Sequence, residues 1–178
     1  MQRKHARTGS LAFILATAFF LAPATAQERC KVDEVLSAKN STYTEQHAFD
    51  VGDIPGHQIR VFELKRTFPD DKPNCEGLKR TEALEHAYSD YYDRNGTLHA
   101  YEVITYENGD KIFGVVDGIT QTVTAPDGSK KTSFFGVSRF TGGTGKYANV
   151  RGLLRSTVVA DLEKKLNEAH EGEYWIEK

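Results

Sequence analysis

No stretch of this sequence is apolar for long enough to cross a bilayer. The longest, Leu11 to Leu21, falls short of the roughly 20 residues that a spanning helix needs. Basic charge is also lacking, since the formal net charge is −2, which argues against a nucleic-acid partner. Metal-ligand spacing is missing too. His47, His57, His86, His99 and His170 never recur with Cys, Asp or Glu at the intervals a metal site requires, so no metal is expected. No dinucleotide fingerprint follows a strand, and strands do not alternate with helices. A serine triad stays open on sequence grounds, although the Gly-x-Ser-x-Gly elbow is absent.

The apolar run belongs instead to an export signal. Arg3, Lys4 and Arg7 form a basic start, and Ala24-Thr25-Ala26 is a small-x-small cleavage site before Gln27. Arg3-Lys4 is not a twin-arginine pair, and Gln27-Glu28-Arg29 before Cys30 is not a lipobox. The chain is therefore expected to be secreted or periplasmic, with no membrane attachment after cleavage. Removing three of the 23 basic residues and none of the 25 acids leaves the remainder at −5. Its length suits one domain. The expected division is a signal peptide at 1–26, an N-terminal extension at 27–56 and a β-domain at 57–178.

Cysteine is scarce. Only Cys30 and Cys75 are present, both beyond the cleavage site. In an oxidising compartment an even count suggests a disulfide, and closing a loop of this length stabilises by about 4 kcal/mol in the chain-entropy model. Two free thiols are the alternative.

What the sequence does have is strand pattern and turn chemistry. In 27–56, Val32, Val35 and Leu36 can share one turn of helix. From His57 to Phe68, Ile59, Val61 and Glu63 alternate with Phe62, Leu64 and Arg66. Further strands are expected over Ala83–Asp93, Leu98–Glu107, Lys111–Thr124, Lys131–Phe140 and Arg151–Ala160. Asp93-Arg94-Asn95-Gly96, Asn108-Gly109 and Asp127-Gly128 read as the hairpin turns between them. Gly114 and Gly118 suggest bulges or bends. Asp161 to Ala169 reads as a short helix or long turn, and Glu173 to Glu177 as a last strand. Seven or eight strands joined by tight turns suit an all-β closed antiparallel barrel of about eight strands, wide enough inside to be filled or to hold one small ligand.

The densest turn is Gly142-Gly143-Thr144-Gly145-Lys146-Tyr147, with Gly152 following in the next strand. It lacks the spacing of a phosphate loop, and no helix follows it. The glycines allow positive φ or close backbone approach, and Tyr147 can plug the turn against the sheet. Gly-Gly-Thr-Gly-Lys-Tyr-Ala-Asn-Val-Arg-Gly resembles the Gly-Gly-(Thr/Ser)-Gly-x-(Phe/Tyr)-x-x-x-x-Gly signature of the allene oxide cyclase and dirigent proteins. The likeness is specific over Phe134 to Gly152 and looser back to about Ala83. It implies an eight-stranded barrel and a lumenal pocket for a hydrophobic or phenolic small molecule. The activity implied is a guided cyclisation, coupling or isomerisation that needs no cofactor. It also implies a homo-oligomer, a trimer in that family.

Candidate site residues come from strand faces. His86, Tyr88, Asp90 and Tyr92 share a face with Leu84. Inside a barrel they could orient a ligand or pass a proton; outside, they are a wet face. Glu102 lies between Ala100 and Ile104 on its face, where desolvation would raise its pKa and fit it for acid–base work. The resemblance adds weight to Glu102, because allene oxide cyclases use a lumenal carboxylate. Arg139 shares a face with Phe135 and Val137 and can pair with such a carboxylate. The plainer reading of Glu102 and Arg139 is a structural ion pair. His86, Asp90 and Glu102 are thus the catalytic candidates, and Tyr88, Tyr92, Phe135 and Arg139 the ligand-binding ones. A non-catalytic binding module and an interaction protein with a filled barrel are the competing readings.

Overall fold

A computed structural model describes residues 27–160 and 166–178 of the chain. The expected signal segment, 1–26, lies outside the described residues, as does 161–165 of the expected helix or turn. The strands are β1 (Cys30–Ser37), β2 (Ser41–Asp50), β3 (His57–Thr67), β4 (Arg80–Tyr92), β5 (Asn95–Tyr106), β6 (Lys111–Thr124), β7 (Lys130–Gly143), β8 (Val150–Ala160) and β9 (Leu166–Ile176). Two single turns of 3-10 helix, Ala38–Asn40 and Gly145–Tyr147, complete the elements.

All nine strands form one antiparallel sheet in the order β1-β9-β8-β7-β6-β5-β4-β3-β2. The closed eight-stranded barrel is therefore corrected. The sheet has two free edges, β1 and β2, which form no ladder with each other. The reason lies in 27–56. In place of the helical turn expected at Val32, Val35 and Leu36, that segment supplies both edge strands, broken apart at Ala38–Asn40. The first half pairs with β9 and the second with β3. The sheet nonetheless curls strongly, because β3 and β9, far apart in strand order, meet through the Arg66–Glu168 ion pair at 2.6 Å.

Alternation decides what the curl encloses. One buried cluster holds Ile104, Tyr106, Ile112, Phe140, Tyr147 and Tyr174 among others, and a second holds Phe62, Leu64, Ala87, Ala100 and Val116. Tyr147 is 0% exposed and stacks on Tyr106 at 4.4 Å between ring centroids. Its hydroxyl accepts from Asn74 Nδ2 at 2.6 Å. The glycine turn is what admits it: Gly145 has φ +54, and a Cβ there would run into the Asp110 carboxylate. Gly118 and Gly136 face each other across β6 and β7 and take the Phe134 ring over them. The one register shift between those strands falls at Phe113/Gly114.

Cys30 and Cys75 are bonded, which ties β1 to the β3–β4 loop. Arg80 makes a second tie. It donates to both Glu34 oxygens on β1, at 2.7 and 2.6 Å, and to Asp71 in the same loop at 2.7 Å. The last strand runs further back than expected, since 166–169 belongs to β9. Among the described residues no helix is long and apolar enough to cross a membrane.

Candidate functional site

The β4–β5 hairpin turns on two residues, Asp93 and Arg94, with Tyr92 paired to Asn95. That register sets Glu85 directly opposite Glu102 on the inner face. Like charges so placed repel, and two features relieve the repulsion. The first is Arg66 on β3, a buried guanidinium that pairs with Glu85 through Nη1 and with Glu168 through Nη2. Burial works against its charge, but Glu85 and Glu168 hold it firmly protonated. The second is the protonation of Glu102 itself. Burial first, then the Glu85 charge, push its carboxyl up to about 7, against the pull of Arg66 and His170. Ser138 Oγ donates to Glu102 Oε2 at 3.2 Å. Gly114 stands opposite in β6, and a Cβ there would lie 3.2 Å from the same oxygen, so the glycine leaves the carboxyl its room.

The β8–β9 register pairs Ser156 with His170 in the same way. Ser156 Oγ lies 2.9 Å from His170 Nδ1, and His170 Nε2 lies 3.2 Å from Glu168 Oε1. Burial lowers the imidazole's affinity for a proton, but the hydrogen bond and charge of Glu168 outweigh it and lift the pKa above the ordinary value. Burial would raise the Glu168 carboxyl, but the charges and hydrogen bonds of Arg66 and His170 hold it below the usual range.

These groups line one cavity of about 440 Å³. Most of its wall is apolar, with Phe62, Leu64, Leu98, Val116, Phe134 and Val158, and Arg60, Thr120 and Thr132 also line it. Its polar patch is Arg66, Glu85, Glu102, Ser138, Ser156, Glu168 and His170. Arg94, in the β4–β5 turn, lines it as well. Glu102 is half-buried, and its open surface gives onto this cavity. The arrangement offers a group able to hold or release a proton near neutral pH, inside walls that favour an apolar guest. Among the described residues no group of three His, Cys, Asp or Glu could hold a metal ion.

The other candidates from the sequence stand elsewhere. His86, Tyr88, Asp90 and Tyr92 lie on the outer face, with Tyr88 and Tyr92 about half exposed at 50% and 52%. The inner face of β4 is instead Ala83, Glu85, Ala87, Ser89 and Tyr91. The reason is register: Ala87 meets the fully buried Ala100, which turns His86 outward. There His86 pairs with Glu63 at 2.9 Å, and Asp90 accepts from His57 at 2.8 Å. Arg139 and Phe135 are exposed as well. Arg139 pairs with Asp117 at 2.8 Å on the outer face, not with Glu102. Of the catalytic and ligand-binding candidates, the structure places Glu102 alone in the cavity.

Sequence reasoning did not single out Arg66, Glu85, Ser156, Glu168 and His170. A signal existed for Arg66, which ends the apolar stripe Phe62-Leu64-Arg66. Glu85 follows from the register once the turn is centred on Asp93-Arg94. Ser156 and His170 become neighbours only through the β8–β9 pairing, whose connection carries no turn signature. Compared with protein-family models, with curated proteins and with solved structures, the chain matches none of them.

Proposed function

We propose that this chain is an exported protein whose cavity takes up a hydrophobic or phenolic small molecule, and that Glu102 moves a proton on it, guiding a cyclisation or isomerisation without a cofactor. The observation that carries this reading is Glu102 itself: a carboxyl whose pKa is pushed up to about 7, set in a cavity with apolar walls. Such a group is protonated and ionised in comparable amounts at neutral pH, which is what acid–base work on a bound molecule needs. Confinement by Phe62, Leu98 and Phe134 would supply orientation. The likeness of the glycine turn to allene oxide cyclase and dirigent proteins supports the same class of reaction. The Cys30–Cys75 bond is compatible with an extracellular or periplasmic location, and the basic, apolar and small-x-small order of residues 1–26 favours the periplasm.

The test is native mass spectrometry of protein purified from the periplasm, with uptake of an anilinonaphthalene sulfonate dye measured in parallel. A retained small molecule, or dye fluorescence that Phe134→Asp abolishes, supports a ligand cavity. Conversion of the retained molecule by the wild type, reduced at least ~100-fold in Glu102→Gln, supports the chemistry. Conversion that survives that substitution would take the chemistry away from Glu102, and a retained molecule that the wild type leaves unconverted would leave a binding module. A protein that excludes the dye and carries nothing sinks the reading.

A further inference from the structure

The cavity holds a second set of groups that Glu102 chemistry does not use. Ser156, His170 and Glu168 form a continuous hydrogen-bonded chain along the β8–β9 pair, and all three line the cavity. The protons on this chain are fixed by its end. Glu168 is a carboxylate pinned by Arg66 at 2.6 Å, so it can only accept. His170 Nε2 must therefore carry the hydrogen it gives to Glu168. In the neutral imidazole, Nδ1 is then a bare lone pair, and it faces Ser156 Oγ at 2.9 Å. The hydroxyl has to donate to it. A hydroxyl donating to an imidazole whose other nitrogen is oriented by a carboxylate is the arrangement that activates a serine. The order of the two ring nitrogens is the reverse of the serine-protease arrangement, which the chemistry tolerates because either nitrogen can take the proton.

An acyl-transfer site also needs a donor for the oxyanion. Backbone N–H groups in the middle of these strands are committed to the sheet ladder. The cavity supplies a side-chain donor instead. Arg66 is only 8% exposed and lines the cavity, and its Nε has no hydrogen-bond partner among the described residues. A buried, charged and unsatisfied N–H is costly, and a ligand oxygen that reached it would relieve that cost.

We propose that Ser156 is a nucleophile activated by His170 and Glu168, and that the cavity accepts the acyl group of a small, apolar carboxylic ester. The Ser156 Oγ–acyl carbon bond forms as the ester's carbon–oxygen bond breaks. The serine proton passes to His170 Nδ1 and from there to the departing alkoxide. Water then adds to the acyl-serine and gives one proton to His170 Nδ1, which passes it to Ser156 Oγ as the Oγ–acyl bond breaks and the carboxylic acid leaves. No oxidant or reductant is involved. The inference rests on the proposed reading only in needing a cavity open to small molecules; it does not depend on Glu102.

The experiment uses the oxidised, mature protein with an alkyl fluorophosphonate and with p-nitrophenyl butyrate. Intact mass should rise by one phosphonyl group with loss of fluoride, and peptide mapping should place it on Ser156 rather than Ser138. Ester turnover should appear with it. Both should fall at least ~100-fold in Ser156→Ala and in His170→Asn. Labelling should slow as pH falls and His170 becomes protonated. The groups facing His170 are Glu168, Ser156, Glu102 and Arg66, and loss of the Glu102 charge in Glu102→Gln should shift that profile to lower pH. A purely structural hydrogen bond would predict none of this. A protein that takes up the dye but is not labelled at Ser156, or is labelled as fast in His170→Asn, overturns the proposal and leaves the ligand cavity standing. Exclusion of the dye overturns both.

Discussion

At the scale of single residues, the carboxyl of Glu102 makes a prediction that needs no ligand. Its pKa rises from 4.5 to about 7, through burial and then the charge of Glu85. A carboxyl raised in this way binds its proton more tightly in the folded chain than in the unfolded one. Its contribution to stability is therefore fully present below pH ~4.5 and is lost as pH rises through ~7. The loss amounts to about 3 kcal/mol. Glu102→Gln keeps the shape and the hydrogen-bonding capacity but does not titrate. Urea denaturation of both proteins at about pH 4.5 and about pH 8 should show the variant gaining on the wild type by roughly 2–3 kcal/mol, most of the full linkage effect. An unchanged gap would show that the folded chain does not hold this proton. Glu102 was legible in the sequence because Ala100 and Ile104 flank it on its own face. The row His86, Tyr88, Asp90 and Tyr92 was legible as a row but not as to side. An alternating strand presents two faces, and only the partner strand decides which one is buried.

The elements show where turn chemistry locates a hairpin without fixing its register. Asn95-Gly96 is the stronger dipeptide for a tight hairpin, yet the chain reverses at Asp93-Arg94, whose φ angles are +45 and +63. Asn95 and Gly96 are already in β5, and each has a role there. Asn95 Nδ2 donates to the Asp93 carbonyl at 2.9 Å, and its Oδ1 accepts from Thr122 N at 2.7 Å. Gly96 lies where a Cβ would strike the Asp90 carbonyl. The inner face therefore keeps Ala87, Ala100 and Glu102 together, while two residues are held in left-handed backbone. The double substitution Asp93→Asn with Arg94→Gly should raise stability by about 1 kcal/mol, because an Asn-Gly pair suits the turn better. The Asp93–Lys130 contact given up is an exposed pair at 3.4 Å, worth little. Thermal unfolding of the double variant checks this, and a lowered Tm would mean that the turn is not strained. The other two hairpins fall where Asn108-Gly109 and Asp127-Gly128 predict, with Gly109 and Gly128 both at positive φ. The edge strand β2 was illegible for a different reason. Residues in β2 are nearly all exposed, so no buried stripe betrays the strand.

For the molecule as a whole, the decisive feature is a curled sheet whose edge strand β1 is tied to the β3–β4 loop and to β4 by a disulfide and side chains, without a ladder to β2. Among the described residues β1 forms a strand ladder with β9 alone. On its open side it is held by the Cys30–Cys75 bond and the Arg80–Glu34 pair. A chain that needs these ties should come apart first at that seam. Replacing both cysteines by serine should cost about 2–4 kcal/mol, the range for removing a cross-link over a loop of this length. The loss should not be uniform. Hydrogen exchange should quicken in β1 and in the β9 amides that face it, while the centre of the sheet from β4 to β7 keeps its protection. The cavity would feel the change, since Leu36 on β1 and Glu168 on β9 both form part of its wall. With β1 loosened, Glu168 loses the strand that pairs with it through Leu36, and the Arg66–Glu168 contact that draws β3 toward β9 weakens. Dye release from the cysteine-free protein should then be faster than from the oxidised one at equal temperature. Uniform loss of protection across all strands would mean instead that the disulfide acts only on the unfolded chain, and that the curl is held by the packing of Phe62, Val116 and Phe134 across the cavity.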